Sequence, residues 1–322
     1  MSRTRMSLCL LASALLLLTS CSTSRGGTPT DLPASPETAF ATPAQVLDAV
    51  KAAQNTATVP DSVAATLQSP NKDLSPDYFD CQTLDDGGTH AKPFGGCAVG
   101  DKNGSKLMVI YGDSHAWMWS AALMNIAAKN GWKLRAFGLD GCPAADLQFF
   151  SYQTNSPNAN CDKFHKVAVD AIAALKPDLI ITASISHQML ADGTWPTPTQ
   201  WAGGLKTTFS NLAPIGAKLA MFGDIPGWVN NDAHCLAAHL RNVQACSTPV
   251  ADAVHQERFD AEKNAAESSG ALYIPTTQWV CTGTCEPIIA DTLVYSNQYH
   301  FTNRYVEYLT GAITESMKPV LG

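Results

Sequence analysis

The chain has 322 residues, 45% hydrophobic and 15% charged, and its 28 acidic residues exceed its 21 basic ones for a net charge of −7. It contains no basic run, so no nucleic-acid partner is expected. Beyond the first twenty residues no apolar stretch is long enough for a transmembrane helix.

Arg3 and Arg5 form a short basic segment, followed by an apolar run from Met6 to Leu18, and this pattern predicts a signal peptide over residues 1–20. The run ends in Leu18-Thr19-Ser20-Cys21, which resembles a bacterial lipobox whose cysteine, Cys21, is lipidated. The alternative is an ordinary secretory leader cleaved near Ser20. Both readings imply export, and the first places the protein on the extracytoplasmic face of the membrane, held by a lipid anchor. Residues 21–41 are rich in Ser, Thr, Pro and Gly, cannot bury enough surface to fold, and read as a disordered tether. Residues 42–322 remain for one folded domain without internal repeats.

Val46, Leu47, Val50 and Ala53 share one stripe of a helix over 43–53. Residues 71–104, rich in Asp, Gly and Cys, read as a stapled loop. Leu107 to Tyr111 is a continuous apolar run, as in a strand covered on both faces. A helix over 116–130 follows and stops at Asn130-Gly131. Strands at 133–137, 178–182, 218–222 and 271–274 then alternate with helices ending at Leu175, Leu212 and residue 268, and a last helix runs from Thr302 to Met317. This alternation predicts a three-layer α/β/α fold around a parallel, doubly wound, flavodoxin-like sheet of five strands. Ligands of such sheets bind beyond the carboxyl ends of the strands, where Ser114 falls.

An even set of eight cysteines remains after Cys9 and Cys21, as expected of disulfides in an exported chain. Eight cysteines allow 105 pairings and the sequence alone does not fix them; closeness in sequence favours Cys81 with Cys97, Cys142 with Cys161, Cys235 with Cys246 and Cys281 with Cys285. A zinc site at Cys281-x-x-x-Cys285 competes but lacks a second ligand pair nearby, so no metal is expected.

In "YGDSHAWMW", residues 111–119, Ser114 sits at a strand-to-helix turn. Either Asp113 or Ser114 caps the helix, or Ser114 is a nucleophile with unpaired first-turn N–H groups around it. Gly112 permits a tight turn and close approach of a substrate. A base is available in "YSNQYHFTNRY", residues 295–305, where His300 precedes Thr302, the apparent N-cap of the last helix. Trp117 and Trp119 are read either as packing or as faces for a sugar.

These features together resemble the SGNH/GDSL hydrolases, and more closely the SGNH domain branch associated with membrane acyltransferases that O-acylate cell-envelope carbohydrates. The likeness spans about residues 43–320 and includes "VPDSVAATL", "GWKLRAFGLDGCP", "KPDLIITAS", "FGDIPG" and the Cys281/Cys285 pair ahead of the histidine. The resemblance implies Ser114 as nucleophile, His300 as general base, and the N–H groups of Ser114 and Gly141 as oxyanion donors. It also implies no cofactor, an acyl ester of an envelope glycan or glycolipid as substrate, and a membrane acyltransferase as a possible partner. The family's Asn block is absent, "TASISHQM" standing in its place. Where the family has an Asp three residues before the histidine, this chain has Asn297. Asn297 orients His300 without charge, or Asp291 or Asp224 substitutes, or the site is a binding pocket that has lost catalysis.

Overall fold

The computed structural model describes residues 40–68, 99–227 and 233–322. The predicted leader, Cys21, most of the tether and the Cys81–Cys97 pair lie outside the described residues. Ala41 is buried, and its N–H donates to the Tyr308 carbonyl at 3.1 Å.

The central sheet contains β1 (Val99–Gly100), β2 (Lys106–Gly112), β3 (Trp132–Gly138), β4 (Leu179–Ala183), β5 (Lys218–Phe222) and β6 (Leu272–Ile274). Their spatial order is β1-β3-β2-β4-β5-β6. β2 to β6 are parallel, and their order is that of a flavodoxin-like sheet. The expected five strands become six because a two-residue strand, Val99–Gly100, adds antiparallel to the β3 edge. So short a strand has no periodicity of its own to betray it.

The inner strands β2, β4 and β5 are mostly apolar because both of their faces are covered, whereas β3 carries Lys133 and Arg135. Successive side chains alternate between the faces. Met108 and Ile110 of β2 enter one core with Leu134, Ile181 and Phe222. Val109 and Tyr111 enter the other with Phe137, Ile180 and Met221. The first core is covered by α1 (Pro43–Ala53), α2 (Ser114–Met118), α3 (Ser120–Lys129), α7 (Asn303–Tyr308) and α8 (Thr310–Leu321). The second is covered by α4 (Ala159–Leu175), α5 (Pro198–Leu212) and α6 (Gln256–Ser268).

The single helix expected over 116–130 is two, joined at Trp119, and the last helix is likewise divided at Leu309. Trp119 is 1% exposed and stacks on Phe222 at 4.6 Å, with Phe301 edge-on at 5.8 Å. It belongs to the core, which removes it as a face for a sugar. This aromatic cluster ties the junction of α2 and α3, the end of β5 and the chain around His300 into one block. Three of the expected disulfides are bonded: Cys142–Cys161, Cys235–Cys246 and Cys281–Cys285. The sulfurs at 281 and 285 are therefore not thiolate ligands for zinc. Among the described residues no helix is long and apolar enough to cross a membrane.

Candidate active site

β2 ends where Gly112 meets β4 so closely that a Cβ on Gly112 would stand 1.9 Å from the Ala183 carbonyl oxygen. The close approach at this glycine is made by the neighbouring strand and not by a substrate. The chain then enters α2. Asp113 is the N-cap, its Oδ1 accepting from the His115 N–H at 2.8 Å, while Oδ2 accepts from the Ile185 N–H at 3.0 Å. With Asp113 capping, the Ser114 hydroxyl is left for another partner. Burial raises the Asp113 carboxyl to about 7 against the opposing charge of His115 and the two N–H donors.

The partner is His300, 186 residues away in sequence, whose Nε2 lies 2.8 Å from Ser114 Oγ. His300 is carried by an antiparallel hairpin of β7 (Tyr295–Asn297) and β8 (His300–Phe301), in which Asn297 and His300 are cross-strand partners. Asn297 Oδ1 accepts from the N–H groups of Tyr299 at 3.1 Å and His300 at 2.9 Å, closing the turn. The same oxygen lies 3.1 Å from His300 Nδ1. An amide oxygen can only accept, so this contact places the ring proton on Nδ1 and leaves the Nε2 lone pair facing Ser114. The Phe301 N–H against Met118 Sδ at 3.0 Å, and the Tyr295 hydroxyl donating to the Pro226 carbonyl at 2.8 Å, seat the hairpin on α2 and on the chain after β5.

A second histidine stands beside the first. His115 is 2% exposed, and its ring centre lies 5.1 Å from that of His300. His115 Nδ1 is 2.9 Å from Asp224 Oδ1, an ion-pair contact when the ring is protonated. Asp224 also accepts from the Ser186 and Ile225 N–H groups at 2.6 and 2.8 Å. Its own N–H donates to Glu262 at 2.9 Å, and Glu262 in turn accepts from the Trp201 indole at 3.1 Å. Burial disfavours charge on His115, but Asp224, Asp113 and the Tyr299 carbonyl outweigh it and raise its pKa. Burial likewise works against the Asp224 carboxylate, and the His115 charge with the Ser186 bonds holds it below the ordinary range. His300 moves the other way. Burial, then the His115 charge, lowers it to about 3, with Asp224 offsetting only part.

The two acids named as substitutes for the missing Asp do not stand behind His300. Asp224 faces His115, and Asp291 is exposed in a turn with φ 51°. Gly141 lies after β3 in a turn closed by the Cys142 N–H to the Leu139 carbonyl at 3.0 Å. Its φ of 65° is a conformation that glycine takes without strain. Trp117 is half-buried with its indole packed over Gly138. Sequence reading passed over His115 and Glu262. His115 is spelled out beside Ser114, but its burial against Asp224 comes from chain 109 residues downstream. Glu262 lies in a helix rich in charged residues, where nothing marks one carboxyl as buried.

A parallel sheet with a Ser–His pair beyond its carboxyl edge defines an SGNH-type α/β domain. The model of the SGNH domain described as fused to AT3 domains matches residues 80–315, and the chain belongs to that family. No protein of curated function matches the sequence. Among solved structures, the fold is similar to the periplasmic domain of a lipopolysaccharide acetyltransferase from Salmonella ser. Paratyphi A. The TM-score is 0.54 at 13% identity, over 67% of this chain and 85% of that one. A GDSL-like lipase from Bacteroides thetaiotaomicron aligns with a TM-score of 0.41 at 11% identity, over 66% and 88%.

Proposed function

We propose that the protein is an exported SGNH-type serine esterase or O-acyltransferase acting on acyl esters of cell-envelope carbohydrate. The observation that carries this reading is the 2.8 Å contact of His300 Nε2 with Ser114 Oγ, with His300 Nδ1 held by Asn297. His300 takes the Ser114 proton as Oγ attacks the ester carbonyl carbon. The oxyanion is held by the N–H of Ser114, which as the first residue of α2 has no intrahelical acceptor, and by that of Gly141. Collapse of the intermediate expels the alcohol, protonated by His300, and leaves an acyl-enzyme. Water or a sugar hydroxyl then takes the acyl group, with His300 again as base. Asn297 fixes the tautomer of His300 and adds no charge to stabilise the imidazolium, so turnover is slow for this chemistry.

The carbohydrate substrate is suggested by the AT3-associated family and by the lipopolysaccharide acetyltransferase domain whose fold is similar. A membrane acyltransferase is then the natural source of acyl groups. Retention at the outer face of the membrane through lipidated Cys21 suits that supply. Labelling the purified domain with a fluorophosphonate tests the reading. Ser114 is expected to become modified, and p-nitrophenyl acetate hydrolysis is expected to vanish in Ser114→Ala. An unlabelled Ser114 with unchanged turnover in the variant would instead leave a pocket that binds an envelope glycan or a membrane partner without catalysis.

A further inference from the structure

β3 and β4 flank β2 in the sheet, and both lead at their carboxyl ends into one cavity of about 460 Å³. Its inner wall is Leu139 to Gly141, directly after β3, and the Leu139 N–H donates to the Gly112 carbonyl at 3.2 Å, two residues from Ser114. Gln188, after β4, forms another part, its amide donating to the Phe150 carbonyl at 2.9 Å. The outer wall is the loop between Cys142 and Cys161, closed on itself by their disulfide and bound to the β4 side by the Phe150 N–H to the Met189 carbonyl at 2.9 Å. The cavity is thus a constructed feature beyond the carboxyl ends of β3 and β4, and it shares Gly141 with the oxyanion donors proposed above. Its volume falls in the roughly 300–1,000 Å³ range of ligand pockets.

The chemistry of the lining is specific. More than half of the lining residues carry an amide or a hydroxyl, among them Gln153, Asn160 and Gln188, and Asp140 is the single charged side chain among the described residues. Tyr152 is 59% exposed and is supported edge-on by Phe150 at 5.7 Å. Among the described residues no Lys, Arg or His lines the cavity, which disfavours a phosphate or other anionic headgroup. The density of amides and hydroxyls disfavours an acyl chain, whose burial would leave them unpaired. A neutral sugar fits both facts, offering hydroxyls to the amides and a C–H face to the tyrosine ring.

We propose that this cavity binds a sugar unit of a neutral polysaccharide, holding the alcohol side of the ester next to Ser114. The orientation rests on the catalytic reading above, but the binding does not. The test is therefore calorimetric titration of the Ser114→Ala protein with xylohexaose, cellohexaose, mannohexaose and galactohexaose. At least one is expected to bind saturably. Tyr152→Ala and Asn160→Ala, on separate parts of the wall, are each expected to weaken it at least tenfold with an unchanged melting temperature. Failure of all four sugars to bind, or binding that neither substitution weakens, overturns the proposal. Sugar binding without any Ser114-dependent hydrolysis would support the cavity and sink the enzyme; hydrolysis without sugar binding would do the reverse.

Discussion

Two histidines 5.1 Å apart answer the same fold in opposite ways. His115 is sealed against Asp224 and Asp113, and those carboxylates raise its pKa despite the burial. His300 has an uncharged amide at Nδ1 and the His115 charge nearby, and burial with that charge lowers it to about 3. Both rings are buried, so it is the charge of their partners that separates them. The carboxylates around His115 favour its charged form, and His300 remains a neutral acceptor facing Ser114.

The largest effect is expected at the neutral member. Ser114→Ala or His300→Ala should lower kcat for p-nitrophenyl acetate by about 10⁴-fold or more, measured by initial rates with circular dichroism showing an intact fold. Removing the charge on the other side comes next. Asp224→Asn leaves His115 without its nearest counter-charge in a fully buried place, and should cost about 3–5 kcal/mol of unfolding free energy in a urea titration. His115→Gln, which removes the cation instead, should let His300 protonate more easily, so the midpoint of its imidazole NMR titration should rise from about 3.

Exchanging the amide for a carboxylate makes His300 more like His115. Asn297→Asp should raise hydrolysis by roughly tenfold or more, because the carboxylate stabilises the imidazolium that forms in the transition state. The sign of the accompanying pH change is fixed. His300 works as the neutral base, so activity is lost as pH falls through its pKa, which is about 3 in the native chain. A carboxylate raises that pKa, and the acid limb of kcat/KM must move to higher pH. A faster variant whose limb stays in place, or a limb that moves downward, would break the comparison. The smallest effect concerns the wild type alone: its rate should hold well below the pH at which an ordinary imidazole protonates, measured with an ester stable in acid.

Much of the scaffold was legible because the inner strands, covered on both faces, are largely apolar runs. The sequence "KLMVIYG" announces β2, and the helix 43–53 buries Val46, Val50 and Ala53 of its expected stripe, while Leu47 is left exposed. The breaks at Trp119 and Leu309 were not legible, since both residues suit the helical pattern and the interruption lies in the backbone. Ser114 and His300 could be named from local spelling, but the choice between cap and free hydroxyl could not be made. Asp113 and Ser114 are equally good capping residues in isolation. The Ile185 N–H that engages Asp113 comes from a strand end seventy-two residues away.

The sequence by itself determined the alternation of strand and helix, the placing of Ser114 beyond the first long strand and the Asn at position 297, and its close cysteine pairs favoured the three disulfides that the structure holds. These follow from periodicity, turn chemistry and short loops, which act over a few residues. Only the tertiary structure decided that Asp113 caps while Ser114 faces His300, that Asp224 belongs to His115, and that the loops after β3 and β4 enclose one cavity. Those outcomes depend on which strand ends become neighbours in the sheet. That order is set by packing two cores against opposite faces, and no local stretch of the chain encodes it.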